Sequence, residues 1–221
     1  MLELALAALA SYLLGSIPTG IIAGKLARGI DLREQGSGNT GATNSFRVLG
    51  WRLGSAVALV DIAKGYAAVA LASRIAPPSA SSLPGGTAFI VASLAAVLGH
   101  VKPLFAGFRG GKGVATAAGA LLAAAPLPAA FAALAFALVL LSTGVVSLSS
   151  LAAALAFPAT LLAGLALGRP VSPLLLGFSL VLAPLIFYTH RSNLARLRRG
   201  EEKRFERLRV LGRLLDRFRR R

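Results

Sequence analysis

The stretch GSAVALVDIAKGYAAVALAS, Gly54 to Ser73, decides the fold. A helix needs roughly 20 mostly apolar residues to cross a hydrocarbon core of about 30 Å, and this segment has that length. Its only charged residues are Asp61 and Lys64. The i, i+3 spacing puts both on one helix face, where they can pair. Intramembrane charges are tolerated when they are paired inside the bundle, so the segment reads as a membrane-spanning helix with an internal ion pair.

Outward from this segment, comparable stretches recur at Leu4 to Gly24, Pro84 to Val101, Gly113 to Ala125, Pro128 to Leu141, Leu148 to Leu167 and Val171 to Tyr188. With Gly54 to Ser73 they predict an all-α membrane protein of seven transmembrane helices. Composition agrees: 56% of the 221 residues are hydrophobic and 14% charged, and the mean hydropathy is +0.72, too apolar for a soluble domain of this size. The first stretch lacks a basic leading region and runs into Gly24-Lys25 rather than a small-residue cleavage site, so it is expected to be a retained span. The absence of cysteine excludes disulfides, thiolate nucleophiles and Cys-ligated metals.

Charge gives the orientation. Of 24 Lys and Arg, 13 lie between Arg191 and Arg221, five between Lys25 and Arg52 and three between Lys102 and Lys112. The positive-inside rule places these three segments in the cytoplasm, with the N-terminus outside and the C-terminus cytoplasmic. The fourth and fifth stretches are short, and Gly113 to Leu141 could form one helix kinked at Pro126 and Pro128. Merging them would put the basic tail outside, so parity selects seven spans. Residues 1–190 are then a membrane domain with cytoplasmic active-site loops, and residues 191–221 a basic amphipathic cytoplasmic tail. Leu208, Leu211, Leu214, Leu215 and Phe218 give the tail an apolar face suited to anionic lipid headgroups. Nucleic acid is not an expected partner, because no aromatic stacking platform or base-reading motif accompanies the charge. Pro77 to Gly86 reads as an external loop, and no inverted repeat is visible.

Chemistry gathers in the three basic segments. The first contains Gly36-Ser37-Gly38-Asn39-Thr40-Gly41-Ala42-Thr43-Asn44 and then Arg47. Small residues let backbone N–H groups converge on an anion, while Ser37, Thr43 and Asn44 add side-chain donors and Arg47 a bidentate fork. The second runs from Gly99-His100 to Gly110-Gly111-Lys112-Gly113-Val114. Gly-Gly-Lys-Gly at a helix start joins free backbone donors, a positive helix end and an ammonium group, which suits a second phosphate. It is not a nucleotide-binding P-loop: Ala106 stands where the first Gly should be, and Lys112 is followed by Gly113 rather than Ser or Thr. In the third, His190, Asn193 and Arg196 follow i, i+3, i+6 spacing and fall near one side of a helix, as a third wall facing the two cradles. Asp61 and Lys64 read as supporting residues that hold Arg47 or a loop backbone.

These motifs closely resemble those of the acyl-phosphate-dependent glycerol-3-phosphate acyltransferase family: GSGNTGATN with its Arg, GGKGVAT after a Gly-His, and a third motif of His190, Asn193, Arg196, Leu197, Gly200 and Glu202. Asp61-x-x-Lys64-Gly65 is also similar, and the likeness spans nearly the whole chain. Lys102, where an aromatic residue is usual, and Leu194, in place of Ile, depart from the pattern. The resemblance implies an enzyme of the bacterial inner membrane, active at the cytoplasmic face. It would move a fatty acyl group from acyl phosphate to glycerol 3-phosphate, giving lysophosphatidate and inorganic phosphate. Ser37, Lys112, His190 and Asn193 would serve catalysis. Gly36, Gly38, Asn39, Thr43, Asn44, Arg47, His100, Gly110, Gly111, Arg196 and Glu202 would bind substrate phosphates. No cofactor and no metal are implied, membrane lipid is the surroundings, and the enzyme that forms acyl phosphate is a candidate partner.

The His-x-x-x-x-Asp dyad of acyl-CoA-dependent acyltransferases is missing, since Phe105 follows His100 and Ala195 follows His190 at the Asp position. A transporter for a phosphorylated metabolite would place its site near the midplane on broken helices, whereas these motifs gather at one face. A membrane scaffold would leave the glycine-rich loops without a purpose.

Overall fold

The computed structural model describes residues 1–77 and 86–219. Residues 78–85 of the expected external loop lie outside the described residues, as do Arg220, Arg221 and the side chains of Leu215 and Phe218. Among the described residues the regular structure is helical, and the chain divides into two units, Met1–Pro126 and Leu127–Arg221.

The first unit holds α1 (Leu2–Gly15), α2 (Thr19–Arg28), α3 (Ala42–Leu49), α4 (Trp51–Ile75), α5 (Thr87–Val101) and α6 (Val114–Ala124). Pro18 lacks the N–H that would continue α1 and separates it from α2. Gly29, in the left-handed conformation (φ 65°), closes α2. Its successor Ile30 donates back to the Gly24 carbonyl at 3.3 Å.

Packing in this unit rests on glycine. An added Cβ would sit 2.1 Å from the Ala96 carbonyl oxygen at Gly15 and 2.2 Å from that of Tyr12 at Gly99, so α1 and α5 touch backbone to backbone at two levels. On the pair α4 and α6, a Cβ at Gly65 would lie 2.0 Å from the Thr116 oxygen, and one at Gly119 would lie 1.9 Å from that of Ile62. Lipid offers apolar side chains as good a partner as another helix does, so close backbone approach supplies the attraction. Leu59, Val60 and Tyr66 on α4 remain exposed, as a lipid-facing surface requires.

The second unit holds α7 (Pro126–Thr143), α8 (Val146–Ala166), α9 (Pro173–Thr189), α10 (Arg191–Arg198) and α11 (Val210–Arg219), with α8 packed on α9. Gly144 links α7 to α8. Its carbonyl accepts the Phe205 N–H at 2.8 Å, and Gly212 lies against the Ser142 carbonyl, so the C-terminal segment seats on this turn.

Five segments are long and apolar enough to cross a membrane: Leu2–Arg28, Trp51–Ile75, Thr87–Ala106, Pro126–Thr143 and Val146–Ala166. A sixth arises if α9 and α10, bent by 60° at His190, count as one. The expected fourth span, Gly113 to Ala125, is an 11-residue helix, about 16 Å at 1.5 Å per residue and short of a bilayer core. It does not merge with α7 into one kinked helix, because Ala125 leaves the helical region (φ −145°) ahead of Pro126.

Gly65→Ala and Gly119→Ala should each destabilise the protein by about 1–3 kcal/mol, the usual cost of overpacking, since the colliding atoms are backbone. Thermal unfolding in detergent measures it; an unchanged midpoint in both variants would remove the close α4–α6 contact.

Candidate active site

The first motif builds its own loop. Asn44, buried on α3, accepts the Ser37 N–H at 2.9 Å through Oδ1. Its Nδ2 donates to the carbonyls of Gln35 at 2.9 Å and Leu32 at 3.3 Å. Asn39 accepts the Gly41 N–H at 2.9 Å, and the Gly38 N–H goes to Gln35 O at 3.0 Å. The N–H groups of Ser37, Gly38 and Gly41 are thus occupied inside the loop rather than converging on an anion. Asn39 and Asn44 shape the loop, and its offer to a phosphate rests more on side chains: exposed Ser37, with half-buried Thr43 and Arg47 one turn apart on α3.

The second motif meets the first at His100. The Gly111 N–H binds the His100 carbonyl at 3.0 Å. A Cβ added at Gly111 would lie 2.1 Å from His100 Nε2, and one at Gly41 would lie 3.9 Å from it. Lys112, half-buried, then precedes Gly113 (φ 83°), which caps the N-terminus of α6. Arg33 joins the loops a second time, donating to the Ala106 carbonyl at 3.1 Å while paired with Asp31. The Arg33 hydrogen bond holds the Asp31 carboxyl down at about 2.

Asp61 and Lys64 pair at 2.8 Å, as their spacing predicts. Lys64 also donates to the Ile17 carbonyl at 2.9 Å, so it secures the break between α1 and α2. Asp61 accepts from Thr19 Oγ1 at 3.0 Å and lies 3.6 Å from His100 Nδ1. No carboxylate stands near His100 in sequence; the fold brings one to it.

The third motif centres on Glu202, in the second unit. Its Oε1 accepts from Asn193 Nδ2 at 2.6 Å and Ser147 Oγ at 2.9 Å, and its Oε2 from Arg196 Nε at 2.7 Å. Burial pushes this carboxyl up, but the three donors and the Arg196 charge outweigh it and hold Glu202 below the ordinary carboxylate range. A carboxylate so engaged positions Asn193 and Arg196 rather than meeting a phosphate. His190, 2% exposed, places Nδ1 2.8 Å from the Ile186 carbonyl. A carbonyl only accepts, so Nδ1 carries the proton.

Sequence reasoning did not find Thr19, Arg33 or Ser147. Asp31 two residues before Arg33 is a local signal that could have been used. Ser147, distant in sequence from the third motif, gives none.

The family described as glycerol-3-phosphate acyltransferase matches residues 5–200. A glycerol-3-phosphate acyltransferase of Salinibacter ruber is 47% identical over 211 residues, covering 91% of this chain and 92% of its own. One from Chlorobaculum parvum is 43% identical over 215 residues, covering 88% and 93%. The crystal structure of PlsY, an integral membrane glycerol 3-phosphate acyltransferase in its glycerol 3-phosphate form, superimposes with a TM-score of 0.79 at 38% identity, over 94% of this chain and 98% of that one.

Because its folded value is lowered, Glu202 contributes stability that is fully present above the ordinary carboxylate pKa and lost as pH falls through the lowered one. Glu202→Gln should therefore lower thermal stability at neutral pH and flatten its acid limb. An acid limb identical to wild type would show that this carboxylate is not the group being protonated.

Proposed function

Since the chain belongs to the glycerol-3-phosphate acyltransferase family, we propose that it transfers a fatty acyl group from acyl phosphate to the 1-hydroxyl of sn-glycerol 3-phosphate. The products are 1-acylglycerol 3-phosphate and inorganic phosphate, and the step is the first acylation of bacterial phospholipid synthesis. The observation that carries this reading is the meeting at His100 of two glycine-rich loops, one leading into Arg47 and the other into Lys112. Two cationic cradles suit two phosphate-bearing substrates. PlsY has been solved in a glycerol 3-phosphate form and a lysophosphatidic acid form, and the chemistry of this pair suits the same loops.

In the proposed reaction the substrate hydroxyl oxygen attacks the acyl carbon, the bond from that carbon to the phosphate oxygen breaks, and the departing electron pair leaves with inorganic phosphate. The hydroxyl proton passes to a substrate phosphate oxygen rather than to a side chain. Ser37 stabilises the developing oxyanion or a phosphate, with Thr43, Arg47 and Lys112 neutralising charge. His190 and Asn193 bind and orient substrate, and Arg196 adds positive charge. Phosphate is already a good leaving group, so positioning and neutralisation supply most of the acceleration.

The reading includes seven spans in the inner membrane, counting the short α6 as the fourth and α9 as the seventh, with the N-terminus outside, the three basic segments cytoplasmic, and residues 191–221 as a tail against anionic headgroups. Trp51 and Tyr188, exposed beside Arg52 and Arg191 at 5.4 and 4.6 Å, suit helix ends at a headgroup layer. The enzyme that forms acyl phosphate is a candidate partner at that face.

Purified protein given acyl phosphate and glycerol 3-phosphate should yield lysophosphatidate, with little turnover on acyl-CoA; comparable rates with acyl-CoA would overturn the donor assignment. Arg47→Ala and Lys112→Ala should each lower kcat/KM by the equivalent of about 1.5–3 kcal/mol, a lost charge-assisted contact. Arg47→Lys should rescue poorly, because a point charge does not replace a bidentate fork. Wild-type kinetics in a folded alanine variant would remove that residue from the site.

A further inference from the structure

Inside the first unit a polar cluster lies behind the glycine loops rather than within them. Asp61 and His100 are 1% and 7% exposed, on α4 and α5 respectively. Asp61 gathers Thr19 from the start of α2 and Lys64 from its own helix, and Lys64 reaches on to the Ile17 carbonyl. A charge at this depth needs partners on every side, and these supply them. A further neighbour of the carboxylate is His100 Nδ1, 3.6 Å from Oδ1. A carboxylate beside Nδ1 favours the tautomer protonated there, which turns the opposite edge of the ring, Nε2, into the acceptor.

That edge lies tight against Gly111 of the second loop, with Gly41 of the first nearby. Only hydrogen fits on the Gly111 α-carbon, because a Cβ would lie 2.1 Å from Nε2, and Gly41 stands on the same edge. Gly41 is the N-cap of α3, the helix that carries Thr43 and Arg47, and Gly111 adjoins Lys112. One imidazole ring thus stands beside both cationic arms, with Asp61 3.6 Å from its Nδ1.

We propose that Thr19, Asp61 and Lys64 orient His100 as a strut that fixes the spacing of the two glycine-rich loops, making these four positioning residues for phosphate binding. The proposal rests on the functional reading above, in which both loops bind substrate phosphates. Its signature is a loss of affinity without loss of chemistry. A proton-accepting His100 would show the reverse, and a purely structural cluster would change stability alone.

His100→Ala keeps the backbone carbonyl that holds Gly111 and removes only the ring. It should raise KM for glycerol 3-phosphate and for acyl phosphate by about tenfold while kcat stays within about threefold, with His100→Gln intermediate. Calorimetric titration with glycerol 3-phosphate should show the same loss of affinity. A fall in kcat of a hundredfold or more at unchanged KM would make the ring a participant in proton transfer and overturn the proposal, as general-base catalysis is worth about 10²–10⁴. Lower thermal stability with both KM values unchanged would also overturn it. If His100→Ala does not fold, Thr19→Val, which removes one hydrogen bond to Asp61 at nearly constant volume, should raise KM about threefold. Thr19→Ser should restore it, and equal KM values in the two variants would refute the strut. A wild-type protein that acylates glycerol 3-phosphate only from another donor would refute the functional reading and leave the glycerol 3-phosphate arm of this test intact.

Discussion

Four close approaches of helix backbone hold the first unit together: Gly15 on Ala96, Gly99 on Tyr12, Gly65 on Thr116 and Gly119 on Ile62. In water a helix pair of this kind would be driven by buried Leu and Ile, but in lipid those side chains gain little by leaving the bilayer. The core agrees, since Ala7, Ala68, Ala72, Ala92, Ala96 and Ala120 are among its buried members. Small residues bring the helices near enough for dispersion and backbone dipoles to act, and they fix the registers of α1 on α5 and α4 on α6.

Those registers decide where the polar groups meet. Asp61 and Lys64 lie on α4, Thr19 at the start of α2 and His100 near the end of α5, and a slip of one turn on any contact would leave a buried charge without its partners. The carbonyl that Lys64 takes, Ile17, immediately precedes Pro18, so the interruption of the first span and the ion pair in the second belong to one arrangement. The second unit uses the same logic at smaller scale: one buried carboxylate, Glu202, gathers an amide, a hydroxyl and a guanidinium from three parts of the chain. In both places a buried carboxylate sets the geometry of the donors gathered around it.

The glycine-rich loops gain shape from internal bonds. Asn44 ties Ser37, Gln35 and Leu32 together, and Asn39 ties Gly41. Such a loop is preorganised, so any binding at it would cost less ordering entropy. The cost is that its amides and several N–H groups are already in use. What it offers a ligand therefore depends on Ser37, Thr43 and Arg47.

The sequence alone determined the helical membrane class, the pairing of Asp61 with Lys64 and the family, because these depend on local quantities: runs of apolar residues, i, i+3 spacing and contiguous motifs. It also placed the segment from Gly113 to Ala125 within a residue of α6 at each end, since Gly113 and Ala125 are the residues at which the chain leaves the helical region. Only the tertiary structure decided the rest. It turned Asn39 and Asn44 inward, set Ser147 on Glu202 across 55 residues of chain, and brought Asp61 to His100 across two helices. No local pattern encodes these contacts, because each follows from which backbone faces come close, and that is settled by glycines far from the groups they bring together.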